Sequence, residues 1–586
     1  MKRYKIFTLI LVAASFVTGC EDKLDTEPDG EIMTEDQIKQ VVDIDASKLK
    51  ADVNGLYSIM KAFGAGTNSE DYQEDFGIPG IMVKLEHNGQ DCVGDITGYN
   101  WFSGDQDYTN KNYTYRAPRV IWTIFYKQIM MANSIINKVP ADTEDPIAKG
   151  YLGQALAIRA YDYFNLVQLF QFTYNGHQSD PAVPIVKNDT PLEQINNNPR
   201  ATVQQVYDLI LSDLNAAIPM LEGVSRTDKS SINQSVAYGL RARVNLVMQN
   251  WSDAATDAEL ALSASGEQPF SRVAVSEPTF ESANAAGVLW GIPITQEDEV
   301  VQTGICNYTS MFTSLCFGYG GYTTIVGTWK KINVHLYNQI GENDVRKGWW
   351  IDENYESPLF NTWKANGTTD ELFLAWMGEP FNEADGPYWA QIGMDPYTNV
   401  KFGPENKNPL DANNSTDFML MRAEEMILIQ AEAKAMGGSL GDGKSILENF
   451  VTTYRDPDYV STAASAEELQ NEVWLQRRIE FWGEGISWFD VMRLKKPVIR
   501  KENGVTNFGA LAIFNIPAET SYMLWPIPQS EIQANTGIPE SANNQMGTLP
   551  VSDTPSTVAR VVGSSKTKLK KSSTNVLTGR FSQASK

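Results

Sequence analysis

Two groups of residues could do chemistry. The first is a charged block of Arg477, Arg478, Glu480, Glu484, Asp490 and Arg493. Two carboxylates at suitable separation can act as general acid and base on a glycosidic bond. The same letters also describe guanidinium–carboxylate forks that lock one helix against the next. Glu480 sits beside two arginines, and Trp482, Trp488 and Phe489 read as core, so we take the block as structural and expect no catalytic residue. Arg422, Glu425 and Glu432 read the same way, because positions seven apart share a helical face.

The second group is aromatic. Residues 97–115 contain Tyr99, Trp101, Phe102, Tyr108, Tyr113 and Tyr115, set among Gly, Asn and Asp. Residues 308–329 contain Tyr308, Phe312, Phe317, Tyr319, Tyr322 and Trp329. Pyranose rings present flat C–H faces that stack on aromatic planes, and their hydroxyls need amide or carboxylate partners. Rings with neighbouring amides therefore fit a glycan surface, an apolar platform with a few placed polar groups. Satellite core beneath long loops is the alternative for each ring taken singly. The expected stackers are Trp101, Tyr322 and Trp329, with Tyr99 and Tyr319 beside them, and Asp91 and Asn100 as polar partners. Trp349, Trp350 and Trp363 are held in reserve, while Trp122, Trp251 and Trp488 read as core.

Composition narrows the field. The chain has 586 residues, 42% of them apolar and 20% charged, enough for a large buried core. A net charge of −24 argues against nucleic-acid binding, which needs clustered Lys and Arg. Three histidines lower the expectation of hydrolytic or metal chemistry. Asp105-x-Asp107 starts like a calcium loop but lacks the Gly and Glu that complete one, so no metal or cofactor is expected.

The elements that must position these residues are mainly helices. Ile121, Phe125, Ile129, Ala132 and Ile136 form one apolar stripe and predict a helix over 118–138. Further helices are predicted over 146–171, 203–221, 234–249, 252–263, 417–436, 443–454 and 466–482. Thr202 and Gln205 form a capping box, and Gly437-Gly438 ends a helix. Adjacent helices with short turns, and the small/large alternation around Ala237–Leu240 and Trp251–Ala255, suggest tetratricopeptide-like hairpins. The expected fold is mostly α: a helix-hairpin scaffold with long aromatic, Gly-rich loop regions at 64–115 and 265–410 and a few short strands.

The termini differ from this body. Lys2, Arg3 and Lys5 precede an apolar run, Ile6 to Val17, too short to span a bilayer. It ends in Val17-Thr18-Gly19-Cys20, which resembles the lipobox of bacterial lipoproteins. That reading makes 1–19 a signal peptide and 20–47 a tether lipidated at Cys20, anchored by several acyl chains. Residues 48–547 form the folded domain, and 548–586 a basic tail expected to be disordered. Cys306 and Cys316 are close enough in sequence for a disulfide, although spacing does not give geometry.

Six blocks in order carry a family resemblance. They are the lipobox; Trp122–Ile129 with Ala132–Ile136; Ala157–Phe170; Met421–Ala433; Arg477–Arg493; and Trp525–Ile532. In this order they resemble the SusD/RagB family of Bacteroidetes outer-membrane lipoproteins, over about residues 20–547. The family's closing Gln-Asn-Pro-Gly-Tyr-like run is only loosely matched by Asn543–Gly547, and the basic tail has no counterpart. The resemblance implies a SusD-like fold at the cell surface, lipid-anchored in the outer membrane. It implies a non-enzymatic protein that captures glycans for nutrient uptake. It also implies delivery to a SusC-like TonB-dependent transporter as partner. A peptide-capturing member of the same family, and a glycoside hydrolase, are the alternatives.

Overall fold

The structure, a computed structural model, describes residues 45–67, 72–96, 100–316, 321–366, 394–409, 414–553 and 559–560. Cys20 and most of the tail lie outside these. Among the described residues, helices of seven residues or more are α1 (Lys50–Ser58), α2 (Ile78–Asn88), α3 (Arg116–Lys138), α4 (Pro146–Phe170), α5 (Val203–Met220) and α6 (Gln234–Met248). They continue with α7 (Trp251–Ser265), α8 (Pro358–Ala365), α9 (Ala423–Met436), α10 (Leu440–Tyr454), α11 (Ala466–Glu480) and α12 (Ser487–Arg493). None of the described helices is long and apolar enough to cross a membrane.

Local chemistry sets the boundaries. The Asp145 carboxylate accepts from the Ile147 and Ala148 amides, and Pro146 opens α4 where a missing N–H costs nothing. Thr202 and Gln205 close the reciprocal capping box of α5. Gln249 takes a left-handed φ of 62° to end α6, and α7 starts two residues later. The Arg241 guanidinium then donates twice to Asp257, at 2.9 and 2.6 Å, and clamps α6 to α7.

Consecutive helices pack as neighbours from α3 through α7. The row then passes to α9 and α10, because α7 packs on α9 across a long intervening segment. Small residues allow the close approach: Ala254, Ala255, Ala258 and Ala261 of α7 are all buried. At Gly443 an added Cβ would meet the Ala431 carbonyl oxygen at 2.5 Å. The stack is therefore continuous in space though interrupted in sequence.

Three short strand pairs join segments distant in sequence. β1 (Cys92–Val93) pairs antiparallel with β3 (Lys331–Ile332). β2 (Val288–Ile292) pairs antiparallel with β4 (Phe418–Arg422). β5 (Val505–Thr506) pairs in parallel with β6 (Ala559–Arg560).

Three expectations change, and one open question is answered. The first residues of the helix predicted over 417–436 are strand β4, because a run of Phe, Met and Leu suits a buried strand as well as a helix. The region 64–115 contains α2, whose eleven residues are all buried. The 265–410 region carries short helices as well as loop, while β2 and β3 are among the few short strands expected. Cys92, Cys306 and Cys316 are all buried thiols, so the staple that the 306/316 spacing allows does not form. The eight predicted helices otherwise appear, within a few residues at their ends.

Candidate functional site

The β1–β3 register builds the site. Val93 pairs with Lys331 in antiparallel sense, so the chain leaving β1 and the chain entering β3 lie at the same end of the ribbon. That juxtaposes residues 94–96 and 100–101 with 322–330. The Trp101 and Tyr322 rings meet there with centroids 4.6 Å apart and planes 34° from parallel. Both rings are partly buried, with some surface left open. Tyr322 begins a short helix, Tyr322–Val326. Trp101 follows Asn100, whose carbonyl accepts from the Ser103 amide at 2.9 Å.

A polar layer lies beneath this pair. Asn100 is buried; its Nδ2 donates to the Asp95 carbonyl at 2.7 Å, and its Oδ1 faces Lys330 Nζ at 3.4 Å. Lys330 also donates to the Thr328 carbonyl at 2.9 Å. Burial pushes its ammonium down to about 8, against the pull of Cys92 and Asp95. The adjacent Lys331 bonds Asp95 at 3.1 Å and Asp395 at 2.6 Å. Burial works against its charge, but these two carboxylates outweigh it and hold the ammonium above its ordinary value. Gly94 is required by close approach: a Cβ there would sit 2.8 Å from Asn100 Nδ2 and 2.9 Å from His87 Nε2. His87 is buried, its Nδ1 on the Val83 carbonyl at 2.9 Å. Burial first, and then the Lys330 charge, push the imidazole down to about 3, so it stays neutral.

The sequence-chosen residues divide. Trp101 and Tyr322 come together. Tyr99 and Tyr319 lie outside the described residues. Trp329 is 1% exposed and belongs to the core, so as a surface stacker it is corrected. Asp91 is likewise corrected. Its carboxylate accepts from Arg478 Nη2 at 2.6 Å and Ser487 Oγ at 2.9 Å, and its carbonyl accepts from Trp482 Nε1 at 2.9 Å. It pins α11 and α12 to the start of β1. Asn100 braces the loop that carries Trp101 and is too buried to meet a ligand freely. The reserves Trp349, Trp350 and Trp363 are fully buried; Trp122 and Trp488 are core as expected, and Trp251 is partly buried. Sequence reasoning missed Lys330 and His87, since a lysine and a histidine in loop-like stretches carry no local signal of burial.

The charged block is a buried lattice. Glu480 accepts from Arg455 Nε and Nη2, each at 2.8 Å, from Arg422 at 3.1 Å and from Arg346 at 3.2 Å. Burial alone would raise its carboxyl; Arg455, then Arg422 and Arg346, hold it well below the usual range. Glu484 accepts from Arg422 at 2.9 Å and from Lys401 at 2.7 Å. Every one of these side chains is 0–5% exposed. Glu480, held ionised among these guanidinium groups, has no proton to give to a leaving group. Asp105 is also buried, with Lys84 at 3.5 Å.

Comparison with known proteins places this architecture. Residues 23–246 match a family described as "Starch-binding associating with outer membrane", and residues 328–544 match the SusD family. The chain belongs to the SusD/RagB family. SusD-like protein P38 of Formosa agariphila is 23% identical over 537 residues, covering 85% of this chain and 93% of that protein. A SusD-like carbohydrate binding protein from Bacteroides vulgatus superposes with a TM-score of 0.66 at 20% identity, over 86% of this chain and 98% of the other. A laminarin binding SusD-like protein superposes at 0.55 and 18% identity, over 83% and 97%. The SusD-like family is one of carbohydrate-binding proteins associated with the outer membrane. The mostly α fold of this chain is theirs.

Proposed function

We propose that this chain is a surface glycan-binding lipoprotein. It is anchored through Cys20, captures oligosaccharide at the Trp101–Tyr322 pair without cutting it, and passes it to a SusC-like TonB-dependent transporter. The observation that carries the reading is the ring pair itself: two partly open aromatic planes, 4.6 Å between centroids, on loops braced by Asn100, Lys330 and Lys331. A sugar ring stacked on such a platform takes its apolar C–H face out of water, at about 25 cal/mol per Å² buried. The braced loops keep the rings in place before the ligand arrives, which lowers the ordering cost of binding. The laminarin-binding relative of the same fold supports a carbohydrate ligand. The absence of turnover is supported by the ion-paired state of Glu480 and Glu484.

The test is a polysaccharide panel titrated against the purified protein, with reducing-sugar release measured in the same samples. Retention of a glycan without new reducing ends, and recovery of a barrel partner from detergent-solubilised outer membranes, are expected. Release of reducing ends would make it a hydrolase.

A further inference from the structure

One cavity bordered by the described helices lies away from the Trp101–Tyr322 pair. It holds about 490 Å³ and lies between α3, the segment around Pro184–Val186 and residues 530–535. A second space of about 190 Å³ continues it along α3, sharing Met130, Val186 and Ile195. Thr123, Lys127, Met130, Ser134 and Asn137 line the two in sequence. Their steps of 4, 3, 4 and 3 make one face of α3, about 21 Å long at 1.5 Å per residue.

We propose that this groove is a second saccharide site that takes a short neutral glucan. This rests on the glycan-binding reading above but on different residues. Tyr126 presents a partly open ring on the floor, backed by the buried Trp122 one turn away on α3, with centroids 4.6 Å apart and planes 35° from parallel. The Trp101–Tyr322 pair has 4.6 Å and 34°. Neither of those two residues lines the groove. Tyr126 is partly buried and is fixed by its hydroxyl, which donates to the Pro184 carbonyl at 2.7 Å.

The rim selects the ligand class. Thr123, Ser134 and Ser530 offer hydroxyls, and Asn137 and Asn188 offer amides already fixed by mutual bonds at 2.9 and 3.0 Å. An acyl chain would leave that rim unmatched, at a cost for each polar group dried without a partner. No β-strand of the described residues borders the groove to pair with a peptide backbone. Of the three lysines along it, Lys138 pairs with Asp52 at 2.9 Å and Lys187 with Asp189 at 3.6 Å, which leaves Lys127 against Glu531, so the groove favours neither anionic nor cationic sugars. An apolar floor with hydroxyl and amide edges, in a volume within the range of small-ligand sites, matches a pyranose chain.

The test uses the full chain with laminarihexaose and maltohexaose as probes, read by calorimetric titration and by crystal structures of the soaked protein. We expect a second, weaker binding event that survives Trp101→Ala/Tyr322→Ala. It should fall about tenfold or more in Met130→Arg and in Ser530→Trp, with pyranose density along α3. Met130 and Ser530 are exposed, so both substitutions obstruct the groove without entering the core, and an unchanged Tm verifies that. Complete loss of binding in Trp101→Ala/Tyr322→Ala, with sugar density at that ring pair alone, overturns the second site and leaves the proposed function standing. Density in the groove without a binding event in solution, or a peptide segment filling it, also overturns the second site. No binding of either probe at either place overturns both readings.

Discussion

At the scale of single residues, the interior holds more charge than its stability alone would favour, and it is tolerable only because partners are complete. Glu480 bridges three buried guanidinium groups, whose charge it balances together with Asp344, Glu424 and Glu484. Removing one member of a buried ion lattice leaves the others uncompensated. Glu480→Gln should therefore cost about 3–5 kcal/mol and lower the Tm by several degrees, while glycan affinity per folded molecule stays unchanged. Glu86 and His87 give a pH signature. Burial lifts the Glu86 carboxyl to about 8. Between its unfolded value near 4.5 and 8, the folded protein holds a proton that the unfolded chain releases, so its contribution falls as pH rises. His87 runs the other way: held near 3, it destabilises as pH drops below about 6.5, where the unfolded imidazole charges. The two slopes oppose below 6.5, and from 6.5 to 8 the Glu86 slope stands without that opposition, at about 1.4 kcal/mol per pH unit. Chemical denaturation at pH 6.5, 7 and 8 should show wild-type stability declining relative to Glu86→Gln; parallel curves would contradict the assignment.

At the scale of elements, what was legible in the sequence depended on one-sided burial. The stripe of α3 and the capping box of α5 announced their helices because one face meets water. α2 gave no such signal: all eleven of its residues, including Lys84, Glu86, His87 and Asn88, are buried, so no polar face exists. β4 was hidden for the related reason that Phe418–Met421 is apolar without a period. The site was half legible. Composition pointed to Trp101, Tyr322 and Trp329 alike, yet only the β1–β3 register decides which face each other and which is buried. Residues more than two hundred positions apart share no local pattern. Close helix approach supplies its own test on α10. Gly443→Ala drives a Cβ toward the Ala431 carbonyl and should cost about 1–3 kcal/mol. Gly441→Ala on the same helix meets nothing within 4 Å and should be neutral or slightly stabilising. Thermal melts of the two variants check the contrast; equal melting points would contradict the packing.

At the scale of the whole molecule, a stack of helices carries the ring pair on loops clipped together by two-residue strands. The stack was legible as separate hairpins but not as one row, because the passage from α7 to α9 spans a segment with no helical period. The proposed tether adds a length scale, since Cys20 stands 25 residues before the first described residue, Asp45. Cys20→Ser should move the protein from the outer-membrane fraction to the soluble envelope fraction without changing its fold, as fractionation with immunoblotting would show. The central claim, capture of glycan on a preformed aromatic pair, is tested most directly by titrating a retained polysaccharide into wild type, Trp101→Ala and Tyr322→Ala. The account predicts a loss of affinity of about tenfold or more in each variant, with Tm unchanged. Affinity equal to wild type in both would contradict it.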